Sequence, residues 1–145
     1  VYGHSLGSVV AMTLADARPV GGVVLEGPAS NARDWARSFV PWYARPFVRV
    51  EMPASIAMED NVARARRLRA PLLVLAGEED RETRPAMARR LYREAAASPK
   101  RLLVLPATGH MIVYRNPAAA AAIAAFVRER ATPRTAGVPA VGRGR

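Results

Sequence analysis

Four short apolar stretches punctuate the chain: Val1-Tyr2, Val23 to Leu25, Leu72 to Leu75 and Leu102 to Leu105. None of them alternates with polar residues. Strands apolar at every position are those buried on both faces. Between them the period becomes helical. Leu6, Val9, Val10, Thr13 and Leu14 share one face and predict a helix from Leu6 to Ala17, ended by Pro19 and the Gly21-Gly22 pair. Further helices are predicted from Glu59 to Leu68, from Pro85 to Ala97 with Pro in the first turn, and from Pro117 to Arg130.

Apolar strands alternating with helices predict an α/β fold, a parallel sheet flanked by helices with right-handed crossovers. Asn31 to Pro53 departs from this rhythm. It holds Trp35, Phe39, Trp42, Tyr43 and Phe47 among Pro and Arg, and only the stretch near Asn31 to Val40 reads as helical. One reading is a short cap insertion, about residues 31–60. The other is an ordinary surface crossover whose aromatics pack the core. Residues 1–130 read as a single partial domain. Residues 131–145, with Pro, Gly and Arg and few large apolar side chains, read as a disordered tail.

At 145 residues the length suits one domain, and a chain of this size buries ~70% of the surface its unfolded form exposes. With 50% hydrophobic residues it is not a disordered chain. The lack of Cys excludes disulfide frameworks, thiolate zinc sites and cysteine nucleophiles. The longest apolar run, Ala118 to Val127, is too short for a membrane span. A formal charge of +10 raises the question of a nucleic-acid partner. The basic residues are nearly all Arg, scattered over several elements and not interleaved with aromatics, so a solvated Arg-rich shell is expected and nucleic acid is not. The chain begins with Val1-Tyr2-Gly3, which reads as the end of a strand and not as an initiator segment. An N-terminal portion is therefore expected to be missing, with any targeting or anchoring segment in it. A cytoplasmic location is the expectation for the remainder.

Candidate chemistry starts at Gly3-His4-Ser5-Leu6-Gly7, which fits G-x-S-x-G. A Ser at a sharp strand-to-helix turn is held in strained backbone geometry with its hydroxyl projecting. The flanking glycines, Gly3 and Gly7, permit the close approach. The helix start directs free N–H groups at a reacting carbonyl, so the Leu6 N–H is a candidate oxyanion donor. Two further signals follow in the chain order Ser, acid, His. Asp80 follows a buried strand and Gly77, and His110 lies on a loop just after another buried strand. The acid has a rival in Glu26, at the end of the second strand. Glu78, Glu79 and Glu82 crowd Asp80 and read as loop solvation. His4 precedes Ser5 and reads as packing beside the turn. No cluster has metal-ligand spacing, and no phosphate-binding glycine loop is present, so neither metal nor cofactor is expected.

On these residues the sequence resembles the α/β-hydrolase superfamily from its fifth strand onward, over roughly residues 1–130. Gly-His-Ser-Leu-Gly is similar to the family's nucleophile elbow, the tract from Leu72 to Asp80 with Arg84-Pro85 to its acid loop, and Gly109-His110 before the last helix to its base loop. The tract Gly22 to Ser30 further resembles the bud-emergence-type and serine-aminopeptidase-like branch, which has a small cap. The resemblance implies the C-terminal half of that fold, with the stub of the Ser strand at an open sheet edge. It implies catalytic Ser5, Asp80 and His110, and a second oxyanion donor outside this chain. The expected activity is hydrolysis of an ester, thioester or amide in a small-molecule acyl substrate through an acyl-serine intermediate. The partner implied is the N-terminal half of the same domain, and the fragment alone is expected to be inactive. A non-catalytic binding module of the same fold is the alternative.

Overall fold

A computed structural model describes residues 1–131; the tail expected from residue 131 on lies outside the described residues apart from Ala131, which ends a helix. Four strands form one sheet: β1 (Tyr2–His4), β2 (Val23–Glu26), β3 (Leu72–Gly77) and β4 (Lys100–Leu105). Their order in space is their order in the chain, and every neighbouring pair is parallel. The sheet is one contiguous block with β1 at an edge.

The helices lie on both faces. α1 (Gly7–Ala17), α4 (Asn61–Ala65) and α5 (Pro85–Glu94) carry Ala11, Met12, Ala65, Ala88 and Leu91 onto Val23, Leu25, Leu72 and Val74. α6 (Ile112–Arg115) and α7 (Pro117–Ala131) carry Ile112, Ala119 and Phe126 onto Val24, Leu73 and Leu75. Successive residues of β2 and β3 thus enter opposite cores, which explains why neither strand alternates in sequence. Full burial of one such aliphatic side chain contributes about 1.5–3 kcal/mol.

The segment after β2 leaves this layered body. α2 (Ala32–Ser38) is capped by Asn31, whose side chain accepts the Asp34 N–H at 2.7 Å. α3 (Ala54–Ala57) follows a run of turns, and Asn31 and Asp60 close the excursion as an isolated antiparallel bridge. Its aromatics do not pack the core: Trp42 is 79% and Phe47 88% exposed. No helix among the described residues is long and apolar enough to cross a membrane.

Candidate active site

All three sequence-predicted groups lie at the C-terminal ends of strands. Ser5 follows β1, Asp80 follows β3 and His110 follows β4. Parallel strands put these ends on one side of the sheet, where loops from non-adjacent parts of the chain meet.

Ser5 has φ +52°, in the left-handed region that costs a residue with a Cβ about 1–2 kcal/mol. The elbow is held from two directions. The Ser5 N–H donates to the Glu26 carbonyl at 2.9 Å, and the Ser5 carbonyl accepts the Ser8 N–H at 3.0 Å. Gly3 is required by contact, since a Cβ there would lie 2.4 Å from the Gly7 carbonyl oxygen and 2.8 Å from the Ala11 Cβ. The same need does not extend to Gly7, where a Cβ would meet open space among the described residues. The helix begins at Gly7, two residues after Ser5, and Leu6 caps it with no side-chain hydrogen bond. Among the described residues the Leu6 N–H donates to no acceptor, and Leu6 stands at the positive end of α1.

Asp80 and His110 are brought together. His110 Nδ1 is 2.8 Å from Asp80 Oδ2, and the Asp80 side chain is fully buried. The carboxylate is fixed by its own loop: Oδ1 accepts the N–H groups of Glu82 and Thr83, each at 2.9 Å. The Thr83 hydroxyl lies 2.9 Å from Asp80 Oδ2, 2.8 Å from the Gly27 carbonyl and 3.2 Å from His110 Nδ1. It has one proton to give. Donated to the Gly27 carbonyl, it leaves the hydroxyl oxygen free to share the Nδ1 proton with Asp80.

Glu26, the rival acid, is buried but does not bond the His110 ring. Its carboxylate accepts the Tyr2 hydroxyl and, at 2.9 Å, the Val113 N–H. Of the crowding carboxylates, Glu82 comes nearest, with Oε2 3.6 Å from His110 Nε2 and a largely exposed side chain. His4 packs beside the turn as expected: its ring is 4.8 Å from that of His110, and its Nε2 is 3.2 Å from the His110 carbonyl oxygen. No hydrogen bond joins the Ser5 hydroxyl to the His110 ring among the described residues, so the turn reaches the base loop here through His4.

Two residues of this cluster escape a sequence reading, Thr83 and Gly27, and a third, Gly77, reads there only as a marker ahead of Asp80. Thr83 carries a bridging hydroxyl. Gly27 has φ +50°, and a Cβ there would approach Thr83 Oγ1, Asp80 Oδ2 and His110 Cε1 to 3.1–3.3 Å. Gly77 admits the base loop, since its Cβ would lie 2.3 Å from the carbonyl oxygens of both Thr108 and Gly109. The Gly-Pro after β2 and the Asp-x-x-Thr ahead of a Pro-started helix are the only local signals that point to the first two.

Comparison with known proteins bears on the fold. A family model described as serine aminopeptidase, S33, matches residues 54–116. Uncharacterized protein Rv2307c of Mycobacterium tuberculosis is 35% identical over 109 residues, covering 75% of this chain. The chain spans 36% of the length of that relative. Acetyl xylan esterase 1 from Thermoanaerobacterium superposes over 91% of this chain and 45% of its own, with TM-score 0.68 and 22% identity. The monoacylglycerol lipase of Paleococcus ferrophilus does so over 89% and 66%, with TM-score 0.60 and 22% identity. The chain carries part of the α/β-hydrolase fold, and its match to the family model supports that superfamily. Within it, the stretch from α3 through α6 is what resembles the serine aminopeptidases.

Proposed function

We propose that this chain supplies the nucleophile, base and acid of a serine hydrolase acting on an ester, thioester or amide. The Ser5 hydroxyl attacks the acyl carbonyl while His110 Nε2 takes its proton. The Nδ1–H donates to Asp80, which holds the ring in the needed tautomer and stabilises the imidazolium. The Leu6 N–H donates to the oxyanion, and a second donor comes from outside this chain. His110 returns the proton to the leaving group, and water, activated by the same base, cleaves the acyl-serine. No cofactor takes part. The observation that carries the reading is the 2.8 Å contact of His110 with the buried Asp80, beside a serine held at φ +52°.

The exposed aromatics between Asn31 and Asp60 make that excursion a cap over an uncharged acyl substrate. Residues 1–145 are inactive on their own, because one missing oxyanion donor costs about 10²–10³ in rate. The N-terminal half of the same domain is their partner. Cytoplasmic location stays the working assignment. A second reading, a non-catalytic binding module, is favoured by the Glu82 carboxylate near His110 Nε2, where a serine hydroxyl would approach. A fluorophosphonate probe on the full-length protein separates the two. Covalent labelling at Ser5, abolished in Ser5→Ala, is the expected result. An unlabelled protein that is folded and binds acyl ligands would establish the module.

A further inference from the structure

Glu26 is a buried carboxylate, 2% exposed, to which the proposed reaction gives no task. Such a group is costly to bury unless donors satisfy it. It ends β2, in register with His4 on one side and Leu75 on the other. Three bonds converge on it. Its carbonyl accepts the Ser5 N–H at 2.9 Å, Oε2 accepts the Tyr2 hydroxyl, and Oε1 accepts the Val113 N–H at 2.9 Å. Tyr2 lies three residues before Ser5 and Val113 three after His110. The Tyr2 phenol is pushed well above its ordinary range, by burial first and then by its hydrogen bond to Glu26 and the charge there, so it is a donor at neutral pH. One residue therefore holds the Ser5 turn by its backbone and bridges the Ser strand to the start of α6, just after the base loop, by its side chain.

We infer that Glu26 is a positioning residue: through Tyr2 on one side and Val113 on the other it locks the base loop against the Ser5 turn and sets how His110 meets Ser5. Its effect on turnover rests on the serine-hydrolase reading; the lock itself does not. The test uses the full-length protein with Glu26→Ala, Glu26→Gln and Tyr2→Phe. Three quantities are read: hydrogen exchange at the Val113 amide, fluorophosphonate labelling rate, and kcat and KM for a p-nitrophenyl ester.

Glu26→Ala removes both side-chain bonds. Val113 exchange rises about tenfold. Labelling and kcat fall about 10- to 100-fold, the cost of a base displaced by about 1 Å, and KM moves less than about twofold. Glu26→Gln keeps an acceptor for Val113 and restores exchange and kcat to within about threefold of wild type. Should Glu26→Ala fail to fold, Tyr2→Phe at a half-exposed edge position decides, with losses in the same direction. Unchanged Val113 exchange in the folded variants overturns the inference, and so does raised exchange with unchanged kcat. A wild type that takes no label at Ser5 refutes the hydrolase reading instead. The lock is then judged on Val113 exchange alone.

Discussion

Gly77→Ala tests whether the acid and base loops are held by backbone contact. The new Cβ would lie 2.3 Å from two carbonyl oxygens, those of Thr108 and Gly109, and 2.9 Å from the Thr108 carbonyl carbon. Ordinary contact begins about 1 Å farther out. No flexible side-chain end is available to give way, so either β3 or the base loop must move by that distance. Overpacking of this kind costs about 1–3 kcal/mol. For a chain of this size that is a fall in Tm of about 2–8 °C per kcal/mol lost, depending on the size of the cooperative unit. The base loop is the part free to yield, which lengthens the 2.8 Å His110–Asp80 bond. A shift of about 1 Å at a catalytic group lowers kcat by ~10². The assay is ester hydrolysis and fluorophosphonate labelling of the full-length protein, with Tm from thermal unfolding. Gly109→Ala is the control, since a Cβ there meets nothing within 4 Å. It should leave Tm and kcat near wild type. Gly77→Ala at wild-type Tm and kcat would refute the contact argument, and so would equal damage from both substitutions.

Three further outcomes follow from the same geometry. Ser5→Gly relieves the backbone strain at φ +52° and raises stability by about 1 kcal/mol while abolishing covalent labelling, checked by denaturant unfolding and mass spectrometry. Asp80→Asn leaves the fold intact but lowers kcat by ~10³–10⁴, because the ring loses its tautomer-fixing acceptor; Glu26→Gln, compared at the same pH, loses far less. Asp16 is held below its ordinary value of 3.8 by its hydrogen bond to Arg67, and Glu94 below 4.5 by its bond to Arg66. Depressed carboxylates contribute stability that is whole above those ordinary values and is lost as pH falls through the lowered ones. Tm should therefore drop in acid below about pH 4, and Arg67→Ala should flatten part of that drop, less so in high salt.

β2 and β3 were legible because burial on both faces leaves apolar runs; β4 shows such a run from Leu102 to Leu105 although only Leu105 of it is buried. Their ends were not. β2 extends to Glu26 and β3 to Gly77, residues that break the apolar run yet stay in the ladder. β4 begins at Lys100-Arg101, polar positions that an edge strand tolerates. The expected helix from Glu59 shortens to Asn61–Ala65, since the Asp60 side chain accepts the Ala63 N–H at 2.9 Å and so fixes the start. α3 and α6, at four residues each, are too short to show a period. Asp80 and His110 could be placed because each follows an apolar strand, although β4, the one before His110, proves to be a half-buried edge strand, and strand ends converge in a parallel sheet. Thr83, Gly27 and Gly77 act through a bridging hydroxyl and through backbone approach. Neither leaves a spacing to read before the loops are folded against each other.

The sheet's layout has a consequence for the order of assembly. Each strand pairs with the one before it in the chain, so the sheet can grow as it is synthesised, by local additions and without waiting for a distant partner. The chemistry follows the opposite logic. The proposed serine follows β1 and the proposed histidine follows β4, 105 positions later, so the loop after β4 has to dock before the one can serve the other. Loop closure over such a separation is a late event. On the proposed reading, a nascent chain can thus be mostly folded and still chemically silent, with Ser5 lacking its base until the end.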